Sequence, residues 1–104
     1  MIKFFLTPTL LFAMSFSIAK ANLAYITNEK DNTVSVIDIK KKKVINTVKV
    51  GQRPRGIIMS KDGKLVLICA SDDDRVEVRD AKTMKLKYHL PSGPDPELFI
   101  LSPD

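Results

Sequence analysis

The chain contains no tryptophan, one cysteine, one histidine and four glycines among its 104 residues. Each shortage excludes something. A single cysteine, Cys69, rules out an intrachain disulfide. Its neighbours Ile68 and Ala70 suggest a buried, inert thiol within a strand, with no second metal ligand nearby. A single histidine, His89, leaves no Ser/His/Asp arrangement in plausible contact, so nucleophilic or hydrolytic chemistry has no visible apparatus. No glycine-rich phosphate loop occurs, and 7% aromatics promise no large aromatic site. No block of Lys/Arg interleaved with aromatics is present, which argues against nucleic acid as a partner. A length of 104 residues allows one small domain and no two-lobed enzyme. No catalytic residue, cofactor-binding residue or metal ligand is therefore expected.

What is present divides into a leader and a repeat. Met1-Ile2-Lys3 carries positive charge, and Phe4 to Ile18 is apolar apart from Thr, Ser and Pro8. Ala19-Lys20-Ala21 then has the small-x-small form of a signal-peptidase site. The apolar run is too short to span about 30 Å of hydrocarbon comfortably, and no stop-transfer signal follows. Residues 1–21 are therefore expected to be a signal peptide, cleaved after Ala21, with an uncleaved anchor as the alternative. The mature chain would start at Asn22 in the periplasm or the medium, free of the membrane. Cleavage removes Lys3 and Lys20 and lowers the formal charge of +5 by two.

Residues 22–104 match themselves without gaps at an offset of 42. Leu23 falls on Leu65, Ile26 on Ile68, Val34 on Val76, Val36 on Val78, Asp38 on Asp80, Gly51 on Gly93 and Pro54 on Pro96. Helical-pair solenoids and four-stranded propeller blades share a period of about 40, so content must decide. Leu65 to Ala70 is an apolar strand with no polar side, as expected where both sheet faces are covered. Ser71-Asp72-Asp73-Asp74 is turn chemistry, and Arg75 to Arg79 alternates with period two as a half-buried strand. Asp80 to Thr83 turns again, and Met84 to Leu90 is the next strand. Pro91 to Pro96 holds three prolines and is neither helix nor central strand. Leu98 to Leu101 opens the following unit as Gly56 to Met59 opened the previous one, with Lys61-Asp62-Gly63-Lys64 a tight hairpin turn. The expected class is all-β, a partial β-propeller of about two four-stranded antiparallel blades. Blade 1 would have strands b to d in residues 23–50, blade 2 would span 56–91, and a third would begin in 98–104.

Ala24-Tyr25-Ile26-Thr27-Asn28 resembles the tetrapeptide that names the YVTN β-propeller repeats, with Ile for Val. Asp31 to Asp38, Lys43-Val44-Ile45 and Val50-Gly51 continue the resemblance, and Ser102-Pro103-Asp104 matches the family's Ser-Pro-Asp-Gly turn before its Gly. Ser60-Lys61-Asp62-Gly63 departs from that turn by Lys for Pro. Residues 51–56, 70–75 and 92–97 resemble more specifically the propeller associated with pyrroloquinoline-quinone-dependent alcohol catabolism. The resemblance implies an exported, non-catalytic binding or scaffold segment linked to quinoprotein alcohol oxidation. Related propellers also include quinoprotein dehydrogenase subunits, lactonase-like hydrolases and haem d1 domains, so a fragment of a propeller enzyme stays as a second reading. A truncated product without function is a third.

In a propeller the b–c and d–a connections emerge together on one face. That face collects Glu29, Lys30, Asp31, Arg53, Arg55, Asp72, Asp73, Asp74, Arg75, Asp95 and Glu97; Lys40 to Lys43, Lys61, Asp62, Lys64 and Lys82 lie on the other. Loops on a rigid scaffold carry recognition. Arg53, Arg55, Asp72, Asp73, Asp74, Arg75, Asp95 and Glu97 are accordingly the candidate partner-binding face, for a protein or small molecule. Arg53-Pro54-Arg55 and Asp95-Pro96-Glu97 are repeat equivalents of opposite charge, so mutual pairing across the blade interface competes with binding. Adjacent acids at 72–74, followed by Arg75, fit a hydrated turn better than a calcium loop, whose ligands alternate. Two blades fall short of the 4 to 8 that close a ring. Apolar faces bearing Val34, Val36, Ile68, Val76 and Val78 are thus expected to be open, and self-association through blade edges to follow. The stop inside a turn motif suggests a fragment of a larger propeller.

Overall fold

The computed structural model describes residues 22–103; the expected signal peptide and its cleavage site lie outside the described residues. Among these residues the strands are β1 (Leu23–Asn28), β2 (Thr33–Asp38), β3 (Lys43–Lys49), β4 (Pro54–Met59), β5 (Leu65–Ala70), β6 (Arg75–Asp80) and β7 (Leu86–Pro91). They form two antiparallel sheets in chain order, β1-β2-β3 and β4-β5-β6-β7. This is the all-β, blade-like architecture expected.

The internal repeat holds down to single dihedral angles. β1 pairs with β2 from Leu23↔Asp38, and β5 with β6 from Leu65↔Asp80, the same register 42 residues on. The last pairing of each sheet carries a bulge at the same place, Val36/Ile37 and Val78/Arg79. A positive φ, uncommon for residues with a Cβ, recurs in three equivalent pairs: Asn32 and Asp74, Lys42 and Met84, Arg53 and Asp95. The backbone path is thus a property of the repeat rather than of any one side chain.

Alternate residues of a strand face opposite ways, and both faces of the second sheet find cover. Val66 and Ile68 meet Val34 and Val36 of the first sheet, with Met84, Tyr25, Val48 and Ile57 packed around them. On the far face Leu67, Cys69, Val76 and Val78 cluster with Ile58, Leu65 and Phe99. Tyr25 Oη donates to Ala81 O at 3.0 Å and Thr27 Oγ1 to Arg55 O at 2.8 Å, joining the sheets at their edges.

Four expectations change. The strand at 75–79 is buried on both faces, not one: Glu77 and Arg79 are only 4% and 8% exposed. Period-two alternation marks two faces, but here the polar face is covered as well, its charges neutralising each other. The strand expected from Met84 begins at Leu86. Met84 itself sits in the left-handed region, its N–H on Asp80 O at 2.7 Å, and its side chain turns into the core between the sheets. Residues 98–101 form no strand. β4 touches their start, where Gly56 N–H donates to Glu97 O at 2.8 Å, and Phe99 packs inward, but no described strand pairs with them. Finally, Val34, Val36, Ile68, Val76 and Val78 are buried rather than open, the first three by each other. Among the described residues no helix is long and apolar enough to cross a membrane.

Candidate functional site

Two tight b–c turns and two d–a connections build the loop face. Residues 29–32 turn between β1 and β2, and a single 3₁₀ turn, Ser71–Asp73, leads into Asp74 before β6. Asn32 and Asp74 each occupy the left-handed position and each accept an N–H from the following connection. Arg53 N–H reaches Asn32 Oδ1 at 2.8 Å, and Asp95 N–H reaches Asp74 Oδ1 at 2.9 Å. The side chains of residues 53 and 95 are therefore launched from equivalent, fixed points.

Arg53 bridges both blades. Its Nε donates to Asp72 Oδ1 at 2.7 Å and its NH2 to Asp95 Oδ1 at 2.5 Å, with Glu29 Oε1 at 3.7 Å. The hydrogen bond to Asp72, opposed by partial desolvation and aided by the neighbouring carboxylates, pushes the guanidinium above its ordinary value. Arg55 donates to Glu97 Oε1 at 2.7 Å and lies 3.7 Å from Glu29 and 3.9 Å from Asp95. Pairing between Arg53-Pro-Arg55 and Asp95-Pro-Glu97 is thus made, and Glu29 joins it. Four carboxylates surround two guanidiniums, so the cluster keeps an acidic excess.

The other candidates divide. Asp73 Oδ2 accepts Gln52 N–H at 2.9 Å, and Asp74 accepts Asp95 N–H; both serve the backbone. Arg75, at the head of β6 opposite Pro91, stays exposed and outside the ion-pair network. Among the described residues no group of three or more His, Cys, Asp or Glu is placed to hold a metal ion. Cys69 is buried, which pushes its thiol above the ordinary range.

Two open clefts flank the arginines. One, of about 450 Å³, is lined by Glu29, Lys30, Asn32, Gln52, Arg53 and Asp72. The other, of about 330 Å³, is lined by Thr27, Glu29, Pro54, Arg55, Gly56, Glu97 and Leu98. Glu29 borders both. Such a surface can bind by hydrogen bond and charge; it presents no nucleophile beside a base.

Glu29 was placed on the loop face from sequence but not among the candidate binding residues, and Asn32 was not singled out, although it is recoverable as the repeat equivalent of Asp74. A buried cluster also escaped: Arg79 Nε donates to Glu77 Oε1 at 2.9 Å and its NH1 to Met84 O at 2.8 Å, with His89 Nε2 3.9 Å from Glu77 Oε2. Nothing in an alternating strand distinguishes a covered polar face from a wet one.

Two blade-like sheets of one repeat, stacked face to face, with the charged connections on one side, define a β-propeller segment. Residues 7–97 match the family model of the cytochrome D1 heme domain, and the chain belongs to that family. Among solved structures it is similar to the hydrazine synthase of Kuenenia stuttgartiensis, at 24% identity and a TM-score of 0.74, covering 79% of this chain and 23% of that one. It is similar also to apo AztD from Citrobacter koseri, at 22% identity and a TM-score of 0.66, covering 75% and 22%. A third likeness is to the dihydro-heme d1 dehydrogenase NirN in complex with DHE, at 22% identity and a TM-score of 0.63, covering 73% and 16%. The chain spans less than a quarter of the length of each, and at these identities the likeness is one of fold. No curated protein sequence matches it.

Proposed function

We propose that this chain is an exported, non-catalytic propeller segment whose loop face is a binding or scaffold surface, linked by resemblance to quinoprotein alcohol oxidation. The observation that carries the reading is the Arg53/Arg55 cluster. It fixes the connections of both blades in one charged platform with an open cleft on either side. With four carboxylates around two guanidiniums, the platform suits a cationic or hydrogen-bond-donating group on a protein or small molecule. The leader at residues 1–21 supports export.

A second reading, a piece of a haem- or quinone-bearing propeller enzyme, is favoured by the family itself. The described residues do not fit a haem. Arg53 and Arg55, which would meet its carboxylates, are already taken by Glu29, Asp72, Asp95 and Glu97, and His89 lies on β7 beside Glu77. Titrating haem and pyrroloquinoline quinone separately into the purified chain, followed by absorbance, separates the readings. No saturable spectral change is expected; saturable binding of either would overturn the non-catalytic reading in favour of the second.

A further inference from the structure

Among the described residues one blade interface is made. The face of the first sheet carrying Tyr25, Val34 and Val36 packs on the face of the second carrying Val66 and Ile68. Among the described residues the repeat leaves one further copy of each face, one of them already partly covered by Phe99. Leu67, Val76 and Val78 are the equivalents of Tyr25, Val34 and Val36, while Ala24 and Ile26 are those of Val66 and Ile68. Ile68 is 0% exposed, but Ile26 is 47% exposed. Along the first of these leftover faces runs an apolar groove of about 420 Å³, bordered by Leu67, Cys69, Val76, Leu90 and Phe99. The two faces are of the type that already fit each other inside the chain.

We propose that these two faces join head to tail between copies of this chain, continuing the intrachain interface, and that a closing rotation makes a ring. The segment after Pro96 is poised for it. Ile57, on the innermost strand of the second blade, packs against Val34 and Val36; its equivalent Phe99 packs against Val76 and Val78. Residues 98–101 thus already occupy the innermost-strand position of a following blade. Leu98 and Ile100, 83% and 90% exposed, are turned outward without a ladder. Among the described residues β1 is an edge strand of its three-stranded sheet and can receive them. β4 pairs with β5 as Ile57↔Ile68, Ile58↔Leu67 and Met59↔Val66. Carried across the junction, that register sets Phe99 against Ile26, Ile100 against Tyr25 and Leu101 against Ala24 of a second copy.

Charge is complementary at the same junction. Inside the chain Arg53 pairs with Asp72 of the next blade at 2.7 Å. The equivalents across the junction are Asp95 and Lys30 of a second copy, opposite charges again with the signs exchanged. Two backbone bonds that accompany the pair, Ser71 N–H to Arg53 O and Asp72 N–H to Gln52 O, need no particular side chain. Their counterparts are Glu29 N–H to Asp95 O and Lys30 N–H to Pro94 O. One bond does not carry over: Gln52 donates its N–H to Asp73, and Pro94 in its place has none to give.

The two faces are opposite sides of a blade, so the contact is heterologous and gives a ring only if its rotation closes. Rings of 4 to 8 blades correspond to about two to four copies. Light scattering after size exclusion, on protein purified from expression of all 104 residues, should show one species within that range. A monomer at tens of micromolar, or a polydisperse aggregate, overturns the proposal. Lys30→Glu, which sets like charges together, should raise the half-dissociation concentration several-fold. Ile26→Asp should abolish assembly, both variants keeping the parent circular dichroism. A discrete oligomer indifferent to both substitutions uses other faces and equally overturns it.

Discussion

The two blades follow one backbone path and differ in what covers them. Registers, bulges and left-handed residues recur at the 42-residue offset, yet β5 and β6 are buried on both faces while Ile26, Val44 and Ile45 of the first blade stay open to solvent. The local code therefore writes the blade, and neighbouring blades decide how much each position contributes. Side-chain choice follows coverage. Where the second blade turns Glu77 and Arg79 inward as a hydrogen-bonded pair, the first has Ser35 and Ile37 at the same offsets. Ser35 accepts a bond from Asn28 within its own sheet and needs no partner from outside.

The largest expected effect breaks that contrast at the buried pair. Glu77→Ala strands Arg79 in the interior and should cost about 3–5 kcal/mol. Importing the first blade's residues together, Glu77→Ser with Arg79→Ile, removes both charges and should cost much less than Glu77→Ala. Urea unfolding followed by circular dichroism compares them. Equal losses in the two variants would mean that the charges are not what couples these positions.

Next is the matched pair Ile68→Ala and Ile26→Ala. Ile68 lies fully buried between the sheets, so its truncation should cost about 2–5 kcal/mol. Ile26 is half exposed and should lose less than about 1 kcal/mol, measured in dilute protein where copies do not associate. Similar losses at the two positions would contradict the difference in cover.

Gly51 and Gly93 sharpen the comparison through two different physical demands. A Cβ on Gly51 would lie 2.7 Å from Ala70 Cβ, 2.7 Å from Asp73 Oδ2 and 2.9 Å from Glu77 Oε2, closer than real contacts allow. Gly51→Ala should cost about 1–3 kcal/mol by overpacking the joint between blades. Gly93 meets nothing within 4 Å but holds φ at +78°. Gly93→Ala should cost about 1 kcal/mol through backbone strain alone. Thermal melts of both variants rank the two effects, and a larger loss at Gly93 would reverse the assignment.

The repeat explains what sequence reveals here and what it hides. Self-comparison at 42 residues located the strands to within a residue or two, because apolar positions and turn residues recur together. It also brought Arg53 and Arg55 into register with Asp95 and Glu97, which the structure pairs. Met84 was hidden: its equivalent Lys42 is an exposed turn residue, so the offset suggested no inward path for an apolar side chain. The buried face of β6 was hidden for a related reason, since alternation reports which residues share a face but not what packs against it. Residues 98–101 show the reverse case, a strand-like sequence that no described strand pairs with and that so forms no ladder.

The smallest expected effect lies at the turn following β2 and β6, where the blades differ by one hydrogen bond. Asp80 Oδ1 accepts N–H bonds from both Lys82 and Thr83, whereas Asp38 Oδ1 accepts one, from Lys41. The backbone bond from Thr83, then that from Lys82, holds the Asp80 carboxyl below its ordinary value. A carboxylate whose value is depressed on folding stabilises the native state above the ordinary carboxylate range. That contribution is lost as pH falls through the folded-state value. Asp80→Asn keeps an acceptor oxygen but no charge, so its melting temperature should fall less steeply with acidification than the parent's. The matched Asp38→Asn change touches one N–H bond, from Lys41, rather than two, and should cost less in melting temperature at neutral pH. Melting curves between neutral pH and the acid limit test this; a parent-like slope for Asp80→Asn would mean that the turn, and not its charge, holds the strand ends together.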